Sequence, residues 1–188
     1  CGEPPATMSA APLAVRSIAL TGDAPIRLEA GERLGIAGRS GSGKTILLET
    51  LAGIRPAEAN SGILLDGDHI AALDPVSVRA AFALSPQDAQ LLSGTVRDNL
   101  RIARSGLNDA AIWAALEVAC LADEIRAMPH GLDQWTGDGG ARLSGGQRKR
   151  LSLARALLAG KSWLLLDEPS EGLDRETEAR LAVRLDSW

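Results

Sequence analysis

Eight consecutive residues, Gly38-Arg39-Ser40-Gly41-Ser42-Gly43-Lys44-Thr45, have the types and spacing of a loop that cradles phosphate. Glycines let successive backbone N–H groups converge on phosphate oxygens, and a helix that starts where the loop ends adds the positive end of its dipole. Lys44 is placed to reach terminal phosphates and Thr45 to ligate Mg2+. A second set, Asp167-Glu168, closes the apolar run Leu164-Leu165-Leu166. A carboxylate at the end of a buried strand beside a phosphate loop holds Mg2+ directly or through water, and the next carboxylate polarises an attacking water. Asp167 is therefore the expected metal holder and Glu168 the expected general base. Taken alone, each set has a plain alternative: a glycine-rich turn with a solvated lysine, or a core strand with a solvated acidic end. Their presence in one chain favours the chemical reading.

These groups need elements to position them. Apolar residues from Leu13 to Leu20 partly alternate, and Arg33 to Ala37 runs straight into the glycine loop, so both stretches read as strands. Lys44 to Ala52 has no breaker until Gly53, which sits where a helix C-cap belongs. Ile63 to Leu65 and Ala80 to Leu84 are further strand candidates, while Thr95 to Ala103 and Asp109 to Ala127 carry helical spacing. Ser144 is suited to cap a helix running to about Ala159. Trp163 to Leu166 reads as a short strand buried on both faces, and Arg175 to Trp188 as a helix with Leu181, Leu185 and Trp188 on one face. The Pro/Ala-rich stretch 1–12 reads as a linker.

Composition narrows the rest. The 188 residues are enough for one core, with a smaller lobe attached at most. A net charge of −4 and the absence of a long basic run argue against a nucleic-acid surface, and Arg148, Lys149 and Arg150 are too few to change that. Cys1 and Cys120 lie far apart without metal or redox spacing, which fits a reducing compartment. No apolar run approaches the length of a membrane span. His69 beside Asp66 and Asp68 reads as a solvated turn in preference to a metal site, and Trp113 as packing in preference to ligand contact.

Between the two chemical sets stands Leu143-Ser144-Gly145-Gly146-Gln147, which resembles the signature motif of ABC ATPases. Ser85-Pro86-Gln87-Asp88 with Leu91 to Asn99 is similar to the Q-loop and following segment of exporter-type ABC domains. Gly137-Asp138-Gly139-Gly140 resembles the exporter loop that touches the membrane domain's coupling helices, and Glu168 to Asp174 resembles the D-loop. Among exporters, the run from Gly137 to Gly146 and Glu171-Gly172-Leu173-Asp174 look most like the bacterial cysteine/glutathione ABC exporter family linked to cytochrome bd assembly. The resemblance covers nearly the whole chain after Leu13. It implies an α/β fold: a P-loop NTPase core with a mixed or parallel sheet, a small antiparallel β part, and an α-helical signature subdomain over about 88–158, within an ABC ATPase domain over 13–188.

The resemblance also implies a mechanism. Two such domains, identical or different, pair head to tail around two ATP molecules, and a transmembrane domain, fused upstream or separate, uses the energy at the cytoplasmic face of the inner (plasma) membrane. Gly38, Arg39, Ser40, Gly41, Ser42, Gly43, Lys44, Thr45 and Ile46 would bind nucleotide from one subunit. Ser144, Gly145, Gly146 and Gln147 would close the site from the other. Thr45, Gln87 and Asp167 would hold Mg2+, with Glu168, Lys44 and Gln87 as the catalytic groups.

Three features depart from the family pattern. A switch histidine is expected on the strand after the D-loop helix, whereas His69 and His130 lie elsewhere, so the domain is expected to be incomplete at its C-terminus. The family stacks an aromatic residue on adenine ahead of the phosphate loop. Here Phe82 and all four Trp follow that loop and there is no Tyr, which leaves Leu20 or a neighbour as the stand-in. Ile46 occupies the place of a second hydroxyl residue that contacts the α-phosphate. Two rival functions stay open: a regulatory, non-hydrolysing half of a heterodimer, and a non-transport ABC ATPase. The acidic balance and the exporter-like segment disfavour the second. Intact Glu168 disfavours the first, while the absent histidine leaves it standing.

Overall fold

The computed structural model describes residues 15–22 and 25–188, so the expected linker 1–12 and the first residues of the expected 13–20 strand lie outside the described residues. Strand β1 (Ser17–Leu20) pairs antiparallel with β2 (Ile26–Glu29) on one side and β3 (Ile63–Leu65) on the other, and β3 carries the short β4 (Asp68–His69). A separate two-stranded parallel sheet joins β5 (Phe82–Ser85) to β6 (Trp163–Leu166), with Phe82 opposite Trp163 and Ser85 opposite Leu166. The expected mixture of a small antiparallel part, parallel strands and a helical part is what forms.

Seven helices of six or more residues complete the described residues: α1 (Lys44–Leu51), α2 (Pro75–Ala81), α3 (Val96–Arg101), α4 (Asp109–Val118), α5 (Ala122–Ala127), α6 (Gly145–Leu158) and α7 (Arg175–Asp186). Their starts follow capping chemistry, in which a side-chain oxygen takes up an orphan N–H of the first turn. Asp74 caps α2 ahead of Pro75, Thr95 and Asp98 form a capping box on α3, and Asn108 and Asp174 cap α4 and α7. The same hydrogen bonds, donated by Ser77, Thr95 and Thr177, hold the carboxyls of Asp74, Asp98 and Asp174 below the usual carboxylate range.

Three expectations need correction. The run Arg33 to Ala37 forms no strand: it enters the glycine loop without a ladder partner among the described residues, and Leu34 and Ile36 are 38% and 42% exposed. A strand exists only by pairing, so an apolar run without a neighbour stays irregular. The same lack of a second neighbour leaves Leu164 of β6 at 37% exposure, not buried on both faces as its composition suggested. The helical stretch 109–127 is two helices. Cys120 takes φ 54, the Cys120 N–H donates to the Glu117 carbonyl and the Leu121 N–H to that of Leu116, the bond pattern that ends a helix at a left-handed residue.

Smaller shifts follow local chemistry. Strand β5 starts at Phe82 instead of Ala80 because α2, capped by Asp74 with Pro75 in its first turn, runs through Ala81. Helix α7 has a C-cap, Ser187, and Trp188 beyond it is exposed while Leu181 is buried.

Two apolar clusters result. One gathers Val15, Ile18, Leu51, Ile63, Leu65, Val78 and Phe82 between the antiparallel sheet and α1 and α2. The other is built from α3 to α6, where Leu100, Ile112, Leu116, Leu121, Ile125 and Leu151 are fully buried, and Leu181 of α7 joins it. Helix α6 also packs against β5 and β6, which ties the helical cluster to the strands that carry the acidic residues. Leu116→Ala removes a side chain with no exposed surface from this cluster and is expected to destabilise the chain by about 2–5 kcal/mol, read as a lowered urea midpoint with unchanged slope.

Candidate nucleotide site

The loop 38–43 turns back on itself through a Ser42 N–H to Arg39 carbonyl bond of 3.2 Å, and α1 begins at Lys44. Gly43, the N-cap of α1, has φ 90, and a Cβ built on Gly38 would lie 2.9 Å from Ser42 Oγ. Gly43 thus requires glycine for its backbone conformation, while at Gly38 a side chain would displace only the Ser42 hydroxyl. Lys44 Nζ donates to the carbonyls of Gly38 (2.9 Å) and Arg39 (3.3 Å), which keeps the ammonium inside the curve of the loop. Ile46 projects from the first turn of α1 and is exposed.

Thr45 Oγ1 donates to Asp167 Oδ2 at 2.7 Å, across 122 residues of chain. Asp167 is placed by its strand: its N–H continues the β5–β6 ladder by donating to the Ser85 carbonyl at 3.0 Å, and the residue is buried. A hydroxyl and a carboxylate oxygen held this close are hard donors of the kind Mg2+ takes. No cluster of three or more His, Cys, Asp or Glu suited to a metal occurs among the described residues. A cation here would accordingly rely on few protein oxygens and complete its shell from phosphate and water, as Mg2+ does.

Glu168 follows in a left-handed conformation, φ 49, uncommon for a residue with a side chain. Gln87, just beyond β5, donates from Nε2 to Glu168 Oε2 at 2.9 Å and to Glu171 Oε2 at 3.5 Å. Gln87 has turned its nitrogen to the carboxylates, so its carbonyl oxygen is the atom left for a cation. Glu171 also accepts from Lys149 Nζ of α6. That bond first, and then the Gln87 amide, hold the Glu171 carboxyl below its usual range.

The signature residues occupy the start of α6. Ser144 Oγ accepts from the Gln147 N–H at 3.1 Å while Gln147 Oε1 accepts from the Ser144 N–H at 2.8 Å, a reciprocal capping box. Gln147 Nε2 also donates to Glu124 at 2.8 Å. The structure thus brings Lys44, Thr45, Gln87, Asp167 and Glu168 to one place. It does not bring Ser144, Gly145, Gly146 and Gln147 there: among the described residues no hydrogen bond joins them to the loop 38–45. The run 137–140 lies against the segment after Gln87, with Ser93 Oγ donating to Asp138 at 2.8 Å and the Thr136 N–H to the Gly94 carbonyl at 2.9 Å.

Comparison with known proteins decides the family. The ABC transporter family matches residues 22–171. The chain belongs to the ABC transporter family. Within it, the chain is 41% identical over 157 residues to the glutathione/L-cysteine transport system ATP-binding/permease protein CydC of Escherichia coli, covering 83% of this chain and 27% of that protein. It is 41% identical over 164 residues to an uncharacterized ABC transporter ATP-binding protein, YwjA, of Bacillus subtilis, covering 87% and 28%. With the ATP-dependent lipid A-core flippase of Neisseria meningitidis it shares 42% over 149 residues, covering 79% and 24%. Among solved structures, a bacterial Atm1-family ABC exporter with ATP bound superposes with a TM-score of 0.81 at 31% identity, over 92% of this chain and 32% of that one. The fold is therefore that of the ABC ATP-binding domain, and the chain spans roughly a quarter of the length of the relatives it matches.

Other residues resolve plainly. Asp66 Oδ1 and Oδ2 accept the Arg16 N–H and Oδ1 the Ser17 N–H at the start of β1, so its carboxylate serves the sheet and not a metal with His69. Trp113 packs against the helical cluster under the Arg126 guanidinium, 4.8 Å from its ring centre. Leu20 is half-buried against the antiparallel-sheet cluster. Arg148, Lys149 and Arg150 are each engaged within the chain, by the Leu143 carbonyl, Glu171 and Glu124 respectively. Sequence reasoning missed the Lys149–Glu171–Gln87 set. Glu171 lies in the run that resembles the D-loop and Lys149 in a short basic cluster, and only the fold joins them.

Proposed function

We propose that this chain binds Mg-ATP and hydrolyses it to drive an ABC exporter whose membrane-spanning part lies outside these 188 residues. The Thr45 to Asp167 contact carries the reading, because it unites the phosphate loop with the acidic strand end and sets Glu168 beside them. The loop's amides and Lys44 bind the phosphates. Thr45, Asp167 and the Gln87 carbonyl would hold Mg2+, which when bound neutralises charge shared between the β- and γ-phosphates. Glu168 takes the proton of a water whose oxygen bonds to the γ-phosphorus as the bond to the bridging oxygen breaks and ADP leaves. The domain runs from about 13 to 188, with a helical subdomain over about 88–158.

The signature residues act on the partner's nucleotide. Ser144 Oγ already accepts the Gln147 N–H, so its own proton is free to donate to a phosphate oxygen, and the start of the 14-residue α6 offers its positive end there. A second such domain then supplies the surface that closes each site, at the cytoplasmic face of the inner membrane.

Mixing two inactive variants of the full-length protein tests this arrangement. Lys44→Ala and Ser144→Arg each break both sites of a self-paired dimer. In the mixed dimer one site collects both lesions and the other none, so ATPase activity is expected to rise well above that of either variant. No gain, together with no crosslink between cysteines placed at 41 and 144 of opposite subunits, would remove the composite site.

A further inference from the structure

Gln87 brings its amide to the candidate site on a loop that its own backbone does little to hold. Among the described residues no backbone–backbone hydrogen bond involves 86–91, and the β5–β6 ladder ends where the Ser85 carbonyl takes the Asp167 N–H. Beyond this stretch the chain is caught by Asn99, which accepts the Leu92 N–H at 2.8 Å and donates to the Leu92 carbonyl at 3.0 Å. Between these two anchors a single hydrogen bond reaches the main chain: Arg155 of α6 donates from Nη2 to the Gln90 carbonyl at 3.0 Å.

Arg155 is half-buried, and burial holds its guanidinium below the usual range with no carboxylate countering the shift. A cation withdrawn from water depends on the oxygen it meets, so its bond to the Gln90 carbonyl is charge-assisted and stronger than a neutral one. Ser152 lies one turn earlier on the same face of α6, buried and with its hydroxyl unpartnered. Arg155 therefore makes the polar link between that helix face and the loop. Gln90 is three residues from Gln87, so a shift of the Gln90 carbonyl is passed along the chain to Gln87, whose Nε2 meets Glu168 at 2.9 Å and Glu171 at 3.5 Å. We propose that Arg155 is a positioning residue: by gripping the Gln90 carbonyl it holds the loop 86–91 against α6 and keeps the Gln87 side chain where its carbonyl oxygen meets Mg2+. The inference rests on Gln87 serving as a metal ligand in the proposed function.

Calorimetry of the full-length protein tests it with AMP-PNP, an ATP analogue that is not hydrolysed. Affinity is measured with Mg2+ and again with EDTA for wild type, Arg155→Met, Gln87→Ala and the double variant. Methionine keeps most of the packing of the arginine stem and removes its donors. The ratio of the two affinities reports the hold on the metal, while the EDTA affinity reports the phosphate loop and shows that each variant is folded. Arg155→Met and Gln87→Ala are each expected to lower the ratio about tenfold, with EDTA affinity within about twofold of wild type. The double variant is expected to match Gln87→Ala, because the arginine then has no ligand to position. A merely structural tie would weaken both affinities alike and leave the Arg155→Met ratio at its wild-type value. That result, or losses that multiply in the double variant, overturns the inference and leaves Gln87 as a ligand. A Gln87→Ala ratio equal to wild type overturns the metal-ligand reading of Gln87, and the inference with it.

Discussion

Glu168→Gln leaves Mg-ATP binding in place and slows its hydrolysis by about two to four orders of magnitude, the usual worth of a positioned general base. The substitution keeps the length of the side chain while removing its charge and its ability to accept a proton. Gln87, which meets Glu168 through Nε2, retains a carbonyl oxygen to bond. The phosphate loop is untouched, because Lys44 and Thr45 make their contacts to Gly38, Arg39 and Asp167. Affinity should accordingly stay within about threefold of wild type while kcat collapses, a pattern that removes an interaction made only in the transition state. Single-turnover measurement of phosphate release, beside calorimetric binding of Mg-ATP, separates the two. A variant that hydrolyses ATP within about tenfold of wild type would move the base elsewhere, and Glu171 would then be the first residue to examine.

Lys44→Ala is expected to lose affinity as well as activity. Its ammonium sits inside the curve of the loop on two backbone carbonyls, so a bound triphosphate finds a cation already in position. A charge-assisted hydrogen bond contributes about 1.5–3 kcal/mol, and each 1.4 kcal/mol is about tenfold in affinity, so Mg-ATP should bind about ten- to a hundredfold more weakly. AMP, which lacks the β- and γ-phosphates, should be affected far less. Calorimetric titration with both nucleotides checks this, and equal ATP affinity in variant and wild type would take Lys44 out of the site.

The phosphate loop, the acidic strand end and the signature helix are legible from sequence because each is written in contiguous residues whose roles are local. Gly43 is needed by its own φ, and Ser144 caps the helix it begins. What escapes the sequence depends on partners. Arg33 to Ala37 has the composition of a strand, yet no neighbour pairs with it among the described residues, and the same shortage exposes Leu164. The break at Cys120 is hidden for a different reason: a left-handed residue ends α4, and the sequence places no glycine there to announce it. Helix α2 is written in Asp74-Pro75 ahead of Ser77, a cap followed by a first-turn proline, but the apolar run behind it has the composition of a strand. Lys149 and Glu171 lie 22 residues apart on different elements, so their pairing is a property of how α6 packs beside β6.

The left-handed backbone at Glu168 sets folding against chemistry at a single position. A residue with a Cβ held there costs about 1–3 kcal/mol, and glycine would be relieved of that cost. Selection for thermal endurance alone would therefore drift this site toward glycine, and toward an inert protein that melts later than its active parent. Thermostabilised variants obtained by screening for melting temperature should be sequenced at this codon before their activity is compared. A β-branched replacement, by contrast, would compound the backbone penalty, and its inactivity would say nothing about proton transfer.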